Sequence, residues 1–553
     1  MRIARLALKA LAPKAKAFEN ATIDPIRAQK KILFKYLARN KDTIYGKKYN
    51  FSKVKSIDDY RLLVPMSDSE SVFPYVEMIK KGEDNVLTRD KVVFFGLTSG
   101  TTGKPKLIPV TNFSRRKKAE TMALWAYYIS KDYPDILKGK VLAIINPEDE
   151  AFTERGISYG AESGHAYKNM PSVVKNFYAI PHAVYHIQDY EARYYSILRF
   201  AMAVNITTLA TLNPSTIVLL CQKIEKYQDK IIDDIEKGTI DRDMSMPSSI
   251  RKELEKILKP DKKRADKLRA ILAEKGELLP KYFWPDLELI ECWKGGTVKV
   301  HLKELPQYFG NVPIRDFGCL STEARSSIPM TDVGAGGVLA ITTNFYEFIP
   351  KEDIGKEQKA FLLADELEKG KEYFLIVTTP GGLYRYNIDD IIKVTGFYNS
   401  TPVIEFIQKG LNAVSMMGEK LYESQVDAAI NRALDKHKLL AKFFCASSQS
   451  ENPPRYNLLI EFERSIQPQE AQELLISIEE EFRRENSEYK YVRDSQLLKA
   501  PVLKILKKGE FEKYRAARVK EGANDSQFKV PELTMDPTFE KNFAVESEVC
   551  LEQ

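Results

Sequence analysis

Long apolar runs and paired cysteines are both missing from this sequence of 553 residues. No stretch approaches the roughly 18 consecutive apolar residues that a membrane-spanning helix needs, so we predict no membrane span. The cysteines are scattered, odd in number and without a C-x-x-C spacing: Cys221, Cys292, Cys319, Cys445 and Cys550. This usage argues against a disulfide framework or a cysteine zinc site, and it predicts reduced thiols in a cytoplasmic protein.

Charge of one sign is missing as well. The chain carries 84 Lys and Arg residues against 77 Asp and Glu residues, a net charge of +7, and both signs are interspersed. That balance predicts no nucleic-acid partner. The densest basic run, residues 115–118, is interpreted as a solvent-exposed helix start because apolar, helix-like sequence follows it. A weak attraction of this run for an anionic substrate stays open.

His182 and His186 stand four residues apart, a spacing that metal ligands can have. Metal ligation needs further ligands, and none is evident in the neighbouring sequence. The sequence therefore favours two ordinary histidines of the surface or the core.

A loop of glycines and small hydroxyl residues follows an apolar, β-type run at residues 92–95, which predicts a buried strand. Glycine lets a backbone approach a ligand closely, and free N–H groups with neighbouring hydroxyls suit phosphate. The candidate phosphate-binding residues are Thr98, Ser99, Gly100, Thr101, Thr102, Gly103, Lys104 and Lys106. The loop is not a Walker A motif, because Lys104 is followed by Pro105 rather than by Ser or Thr. A plain flexible turn is the alternative interpretation.

Helices and strands alternate through the first 340 residues, which predicts a layered α/β architecture. The predicted strands are 140–145, 206–210 and 287–293, and the predicted helices are 113–131, 190–202 and 216–235. Residues 151–170 are rich in Gly and Ser and predict an irregular loop. Short strands separated by Gly and Asp turns predict an antiparallel β subdomain over residues 336–403.

The C-terminal part has a different texture. After a linker at residues 409–411, helices at 423–436 and 467–484 indicate a small α/β unit, and a loose acidic tail is expected after residue 531. We therefore predict a large N-terminal domain, residues 1–408, and a small C-terminal domain, residues 409–553.

Three charged residues that follow the loop could carry chemistry. Glu323 comes after Ser321 and Thr322 at a strand end, and Mg²⁺ bound to a nucleotide uses one or two carboxylates plus phosphate oxygens. Asp390 could accept the hydroxyl protons of a ribose. Lys529 is a single basic residue late in the small domain. Each alone is typical of a surface charge, but their order after the loop favours a nucleotide site.

Motifs along the whole chain resemble one enzyme family. The loop at residues 98–106 resembles the signature of acyl-adenylate-forming enzymes, the superfamily of luciferase and the acyl-CoA synthetases. The rest resembles the Gretchen Hagen auxin-responsive family of acyl acid amido synthetases. The residues that carry this resemblance are 59–61, 64–65, 213–216, Ser321-Thr322-Glu323, 345–350, Tyr384-Arg385-Tyr386 through Asp390 and on to Asn399, 509–513 and 527–531.

The resemblance implies a luciferase-like fold and an ATP-dependent ligase. Such an enzyme adenylates a small carboxylic acid, releases pyrophosphate, and then transfers the acyl group to the amine of an amino acid. It is expected to use Mg²⁺ and to work as a monomer. The same resemblance implies that the small C-terminal domain is mobile.

The family's site roles transfer to matching positions of this chain. The resemblance implies that residues 98–106 hold the phosphates, that Thr322 contacts the α-phosphate and that Glu323 binds magnesium. Lys529 would enter the site with the small domain. The remaining nucleotide-binding residues would be Gly295, Gly296, Ser321 and Asp390, with the two glycines along the adenine.

Three departures keep other functions open. Cys319 stands where the family has an aromatic residue that stacks on adenine, and Asp389 replaces the glycine expected before Asp390. Residues 412–420 resemble the hinge of acyl-CoA ligases more than that of the plant amido synthetases. The alternatives are therefore an acyl-CoA ligase that uses CoA after the same adenylate step, and a non-catalytic protein that binds a nucleotide or an acyl acid.

Overall fold

The structure is a computed structural model of the chain. It describes residues 10–551 apart from 98–105, 146, 149–150, 296–300, 355, 357–358, 411–412, 415, 417–418, 420, 450–452, 487–488, 491–492, 494–497, 522–527 and 537. The chain divides into two units, residues 1–406 and 407–553. Among the described residues, no helix combines the length and the apolarity needed to cross a bilayer.

The first unit mixes helices and strands throughout, which confirms the predicted α/β architecture. Its α-helices are α1 (Ala12–Ala21), α2 (Pro25–Asn40), α3 (Ile44–Lys48), α4 (Ile57–Leu63), α5 (Ser69–Lys80), α6 (Asn112–Asp132), α7 (Glu162–Lys168), α8 (Ser172–Lys175), α9 (Tyr190–Met202), α10 (Pro214–Lys237), α11 (Ser248–Glu255), α12 (Lys262–Lys275), α13 (Pro280–Phe283) and α14 (Leu305–Phe309). Its strands are β1 (Val92–Leu97), β2 (Leu107–Thr111), β3 (Lys140–Ala143), β4 (Ala151–Phe152), β5 (Ser158–Gly160), β6 (Ile206–Ala210), β7 (Leu289–Glu291), β8 (Ile314–Arg315), β9 (Ser327–Ile328), β10 (Gly337–Leu339), β11 (Phe345–Pro350), β12 (Glu372–Thr378), β13 (Tyr386–Tyr398) and β14 (Thr401–Lys409).

Local sequence explains where several helices begin. The Asp24 carboxylate accepts a hydrogen bond of 3.0 Å from the Arg27 N–H, and Pro25 opens α2 with a preset φ. Asn213 accepts from the Ser215 N–H at 3.0 Å and is likewise followed by a proline at the start of α10. Helices α9 and α10 then bury their apolar faces in one core cluster with β6.

A four-stranded parallel sheet has the order β3-β6-β7-β8. The two central strands, β6 and β7, are short and almost entirely buried, as expected for strands covered by crossover helices. A second sheet, β2-β1-β5-β4, pairs β1 antiparallel with β2 and parallel with β5. Because β3, β6, β7 and β8 are parallel, their carboxyl ends lie at the same edge of the sheet. Ligands of open α/β sheets bind outside that edge.

The predicted antiparallel β subdomain is a six-stranded sheet with the order β11-β12-β13-β14-β10-β9. The pairs β11–β12, β12–β13, β10–β14 and β9–β10 are antiparallel. Gln29 of α2 donates to the Ile341 carbonyl at 2.8 Å, and Tyr36 donates to the Thr343 carbonyl at 2.5 Å. These buried bonds fix the N-terminal helices against this sheet.

The second unit is an α/β unit of its own. Its elements are β15 (Ala413–Val414), β16 (Leu421–Tyr422), α15 (Glu423–His437), β17 (Ala441–Gln449), β18 (Arg455–Phe462), α16 (Pro468–Glu485), β19 (Val502–Leu506), α17 (Glu510–Lys520), β20 (Leu533–Thr534) and β21 (Val545–Cys550). The sheet order is β20-β17-β18-β19-β21, and α15 and α16 pack together over a buried apolar core. The two predicted helices and the strand pair around residues 452–454 are confirmed.

Two sequence predictions about loops are wrong. Residues 151–170 are not an irregular loop, because β4, β5 and α7 lie within them. The tail after residue 531 contributes β20 and β21, and β21 pairs antiparallel with β19. In both places the strands are short and the helix has seven residues, so periodicity gives too few repeats to reveal them.

Candidate active site

The predicted phosphate loop connects two paired strands. Leu97 of β1 pairs with Leu107 of β2, so residues 98–106 are the connection between them. Phe94 and Phe95 of β1 are buried, which confirms the predicted buried strand and fixes the base of the loop in the core. Lys106 stands directly before β2, whereas Thr98, Ser99, Gly100, Thr101, Thr102, Gly103 and Lys104 lie outside the described residues.

A tight turn after β8 carries Thr322 and Glu323. The Ser321 N–H donates to the Ala324 carbonyl at 2.9 Å, and the Ala324 N–H donates back to Ser321 Oγ at 3.2 Å. Thr322 and Glu323 are the two residues between these partners. Ser321 is therefore part of the turn that sets the backbone of Thr322 and Glu323.

Gly96 lies directly against Thr322. A Cβ built on Gly96 would stand 2.5 Å from Thr322 Cγ2, closer than real Cβ contacts allow. A side chain at residue 96 would displace the Thr322 side chain, so glycine permits this close approach of the turn to β1. Only Leu97 stands between Gly96 and the predicted phosphate loop. The structure thus brings Thr322 to the root of that loop.

Lys118 of α6 holds the same turn from another side. Its Nζ donates to the Thr322 carbonyl at 2.5 Å and to the two Glu162 carboxylate oxygens at 2.7 Å each. Lys118 is about one-fifth exposed. The interpretation of residues 115–118 as a solvent-exposed helix start is therefore wrong for Lys118. Sequence reasoning missed both Lys118 and Glu162 as residues of this site.

The Glu323 carboxylate lies within electrostatic range of Tyr386 in β13. Glu323 is 8% exposed. Burial raises the pKa of the Tyr386 hydroxyl, and the negative charges of Glu323 and Asp68 raise it further. Tyr386 stands at the start of β13, four residues before Asp390. A buried carboxylate beside the loop root is a hard oxygen ligand of the kind that Mg²⁺ takes together with phosphate oxygens.

Asp389 has a left-handed backbone conformation. Its φ is +62°, and the Asn387 Oδ1 accepts a 2.9 Å hydrogen bond from the Asp389 N–H. This explains the glycine expected before Asp390, since glycine adopts positive φ at no steric cost. Aspartate is one of the few other residues that tolerate this region. The departure from the family pattern keeps the backbone shape and adds an exposed carboxylate next to Asp390.

Gly295 lies against Glu405, and Cys319 lies within electrostatic range of Asp390 and Glu405. A Cβ built on Gly295 would stand 3.5 Å from Glu405 Oε1 and 3.3 Å from the Phe406 carbonyl oxygen. Burial raises the pKa of the Cys319 thiol, and the charges of Asp390 and Glu405 add to this effect. Cys319 itself is buried among core residues. Gly296, the other glycine predicted along the adenine, lies outside the described residues.

A buried ion-pair network anchors β13. The Glu347 carboxylate accepts from Arg385 Nε at 2.8 Å and from Arg61 Nε at 2.9 Å, and it is 1% exposed. Arg385 also donates to the Val64 carbonyl at 2.9 Å. These residues belong to three of the motifs that carry the family resemblance. Their shared contacts tie α4 and β11 to the strand that bears Asp390.

Lys529 belongs to the second unit. Its side chain is exposed. Burial raises the pKa of the Glu423 carboxyl, while the charge of Lys529 acts in the opposite direction. In the same unit, Glu461 accepts hydrogen bonds from the Gly509 and Phe511 N–H groups at 2.7 and 2.8 Å. These two bonds hold the backbone of the motif at residues 509–513, where α17 begins. The contacts of Lys529 described here are therefore those within its own unit. Its role in the active site stays a prediction.

Within the first unit, the structure brings Thr322 against Gly96 and within hydrogen-bond distance of Lys118, with Glu323 next in the same turn. That these residues share one site with Asp390 and Gly295 stays a prediction. Models of three consecutive GH3 family domains match this chain: the N-terminal domain at residues 14–314, the central domain at 337–409 and the C-terminal domain at 424–538. The chain belongs to the GH3 family.

Known GH3 proteins match the chain over nearly its full length. Indole-3-acetic acid-amido synthetase GH3.3 of Arabidopsis thaliana is 24% identical over 91% of this chain and 88% of its own. Jasmonoyl-L-amino acid synthetase GH3.5 of Oryza sativa subsp. japonica is 26% identical over 93% of both chains. The relatives are thus named as amido synthetases, and the family resemblance read from the motifs is confirmed.

A solved GH3 structure has the same fold. The structure of GH3.15 acyl acid amido synthetase superimposes with a TM-score of 0.86 at 22% identity, covering 97% of this chain and 96% of its own. A second structure of that protein, in complex with 2,4-DB, superimposes with a TM-score of 0.87 over 98% and 97% of the two chains. The chain therefore has the fold of GH3.15 acyl acid amido synthetase.

Proposed function

We propose that this GH3 protein is an ATP-dependent ligase that joins a small carboxylic acid to the amine of an amino acid. The observation that carries the proposal is the convergence of Thr322, Glu323 and Lys118 on the root of the loop at residues 98–106, in a chain of this family. Amido synthetase activity of the named relatives supports the same reaction for this chain.

The proposed reaction has two displacements. In the first, a carboxylate oxygen attacks the α-phosphorus of ATP, the bond to the β-phosphate oxygen breaks, and pyrophosphate leaves. In the second, the neutral amine of the amino acid attacks the acyl carbon, AMP leaves with the electron pair of the C–O bond, and the amine gives up a proton. Binding and orientation at the α-phosphate dominate the first step, because charge gathers there in the transition state.

The residues of the first unit divide this work. Residues 98–106 supply N–H and hydroxyl donors and the charges of Lys104 and Lys106 to the phosphates. Thr322 donates to the α-phosphate from a backbone that Lys118 holds in place. Asp390 accepts from the ribose hydroxyls, and Gly295 lies along the adenine.

Glu323 suits the magnesium ion that the family implies. It offers a buried carboxylate, and the Thr322 hydroxyl beside it adds a second hard oxygen donor, a set that Mg²⁺ prefers. When bound, the ion would neutralise charge on the phosphate oxygens. Glu323 would hold the ion.

The two units have separate roles in the proposal. Residues 1–408 form the adenylation domain, and residues 409–553 form a mobile domain that brings Lys529 to the adenylation site. Domain rotation of this kind separates half-reactions in time. The cysteines are all free thiols, which is consistent with a cytoplasmic location. A monomer that binds no nucleic acid is part of the same proposal.

Two assays test the proposed function. Pyrophosphate–ATP exchange is measured with a panel of aromatic and aliphatic carboxylic acids, and we expect exchange that depends on one class of acid. Each active acid is then supplied with ATP and either amino acids or CoA, and products are identified by mass. An amide supports the proposal and a thioester replaces it with an acyl-CoA ligase. Absence of exchange with every acid would favour a non-catalytic binding protein.

A further inference from the structure

Glu148, His182 and His186 converge on one point of the first unit. His182 Nε2 lies 3.0 Å and His186 Nε2 lies 3.7 Å from the same oxygen, Oε2 of Glu148. The two histidines belong to a 3₁₀ helix, His182–His186, and Glu148 follows the carboxyl end of β3. The neighbouring sequence offers the histidine pair no further ligand, because the carboxylate that faces both rings is 34 residues away from His182.

The spacing of these atoms suits a bound metal ion. The three ligand atoms all lie within 4.8 Å of one another. In a tetrahedral zinc site with ligand bonds of about 2.0–2.1 Å, neighbouring ligand atoms are about 3.3–3.5 Å apart. Two imidazoles and one carboxylate are a ligand set that catalytic zinc sites use, with a fourth position left for a small exogenous ligand.

The surroundings hold the three ligands in place. Tyr185, between the two histidines in sequence, donates from its hydroxyl to the Ala143 carbonyl at 2.6 Å and so fixes the 3₁₀ helix to the end of β3. The Tyr167 ring stacks on the His182 ring at a centroid distance of 5.5 Å and an angle of 10°. Glu148 is 1% exposed, whereas the two histidine side chains are about one-third exposed, so the ligands are rigid and reachable from solvent.

One positive charge lies close to this cluster. Lys168 Nζ is 3.2 Å from Glu148 Oε1, the carboxylate oxygen that does not face the histidines. The Lys168 side chain is half exposed and can move into solvent without leaving a buried charge. Its contact with Oε1 leaves Oε2 for an ion and orients the carboxylate, as outer partners of metal ligands do.

We propose that Glu148, His182 and His186 form a binding site for a divalent transition metal, with zinc as the best match. The chemistry differs from that of the magnesium position, because imidazole nitrogens suit zinc and hard oxygens suit magnesium. The two positions also have different supporting residues. Helix α7 carries Glu162, the partner of Lys118, at its start and Lys168, the partner of Glu148, at its end.

Cobalt serves as the spectroscopic probe for this site. The full-length protein is stripped with a chelator and titrated with Co²⁺ at neutral pH, and the visible d–d bands are followed. We expect about one equivalent of tetrahedral Co²⁺, displaced by Zn²⁺, without the near-ultraviolet band that a thiolate ligand such as Cys550 would add. His182→Ala, His186→Ala and Glu148→Gln should each weaken Co²⁺ binding on the order of 100-fold or more.

His301→Ala is the matched control. His301 Nδ1 lies 3.2 Å from Glu304 Oε1, so it is a histidine–glutamate pair without a second histidine. The proposal is supported if His301→Ala binds Co²⁺ with the wild-type affinity and if folded His182→Ala and His186→Ala lose Co²⁺ binding. The proposal is overturned if the wild type gives no d–d bands at micromolar Co²⁺, or if both histidine variants bind Co²⁺ as the wild type does. Glu148 would then be an ion-pair partner of His182, His186 and Lys168 without a metal.

Discussion

Lys118 Nζ lies 2.5 Å from the carbonyl oxygen of Thr322, although 204 residues separate the two in sequence. The same ammonium is held by both carboxylate oxygens of Glu162. A charge-assisted bond of this kind is stronger than a neutral one and fixes the Thr322 backbone in one place. The position of Thr322 at the loop root is therefore set by α6 as well as by its own turn.

Lys118→Met tests this relationship. The variant keeps the length of the side chain but removes the donor, so Thr322 loses its anchor and Glu162 its partner. We expect acid-dependent pyrophosphate exchange to fall about 10- to 100-fold, since small misplacements at a reacting centre have effects of this size. Lys117→Met is the control, because the partner of Lys117 within the described part of the chain is the exposed Glu120. Equal rates in the two variants would contradict the role of Lys118.

Glu323→Gln tests the proposed magnesium ligand. The amide keeps the shape of the side chain and removes its charge, and a neutral ligand holds Mg²⁺ less well. We expect the exchange rate to fall at least about 100-fold, with a higher Mg²⁺ concentration needed for half of the remaining activity. The measurement is exchange against Mg²⁺ concentration. A variant with the wild-type rate and the wild-type Mg²⁺ dependence would refute the assignment.

Lys529→Ala tests the proposed role of the second unit. Loss of a cation that stabilises the adenylation transition state should slow acid-dependent exchange on the order of 100-fold. Amide formation from acyl-adenylate supplied directly should be little affected. Lys541→Ala is the control, since Lys541 is an exposed lysine of the same unit. If Lys529→Ala slowed both steps alike, Lys529 would not be specific to adenylation.

Asp389 has a positive φ, and two substitutions separate backbone from charge. Asp389→Gly and Asp389→Val both remove the carboxylate, but valine is strongly disfavoured at this φ. We expect Asp389→Val to lower the free energy of unfolding by about 1–2 kcal/mol relative to Asp389→Gly, the cost of left-handed backbone for a residue with a Cβ. Urea midpoints of the two variants measure this difference. Coincident midpoints would show that the loop relaxes to another conformation.

Glu291 gives the protein a predicted dependence on pH. Burial raises the pKa of this carboxyl to about 8, while Arg325 and Arg315 act in the opposite direction. The folded state therefore holds a proton that the unfolded chain loses above about pH 4.5, so Glu291 lowers stability progressively as pH rises from about 4.5 to 8. In Glu291→Gln this loss is absent.

The measurement is the thermal midpoint of wild type and Glu291→Gln across that pH range. We expect the thermal midpoint of Glu291→Gln to increase relative to that of the wild type as the pH rises, and the difference to level off above pH 8. A difference that is constant between pH 5 and pH 8 would mean that Glu291 stays ionised in the folded protein. Its charge would then be neutralised by Arg315 and Arg325.

Local patterns predicted those parts of the fold that depend on neighbours in sequence. The helix Tyr190–Met202 and the strand Ile206–Ala210 have the predicted bounds, because apolar spacing and strand-forming residues act over a few positions. The order of the motifs was sufficient to identify the family. Short elements within residues 151–170 were missed, since two or three residues of a strand show no periodicity.

The sequence by itself determined the family, the α/β class and the residues around which a nucleotide site is built. Only the tertiary structure decided which distant residues support them: Lys118 beneath Thr322, Glu347 between Arg61 and Arg385, and Glu148 facing His182 and His186. Such contacts join elements far apart in the chain, and they depend on how sheets and helices pack. Composition and spacing carry no record of that packing, because each partner alone has the pattern of an ordinary surface charge.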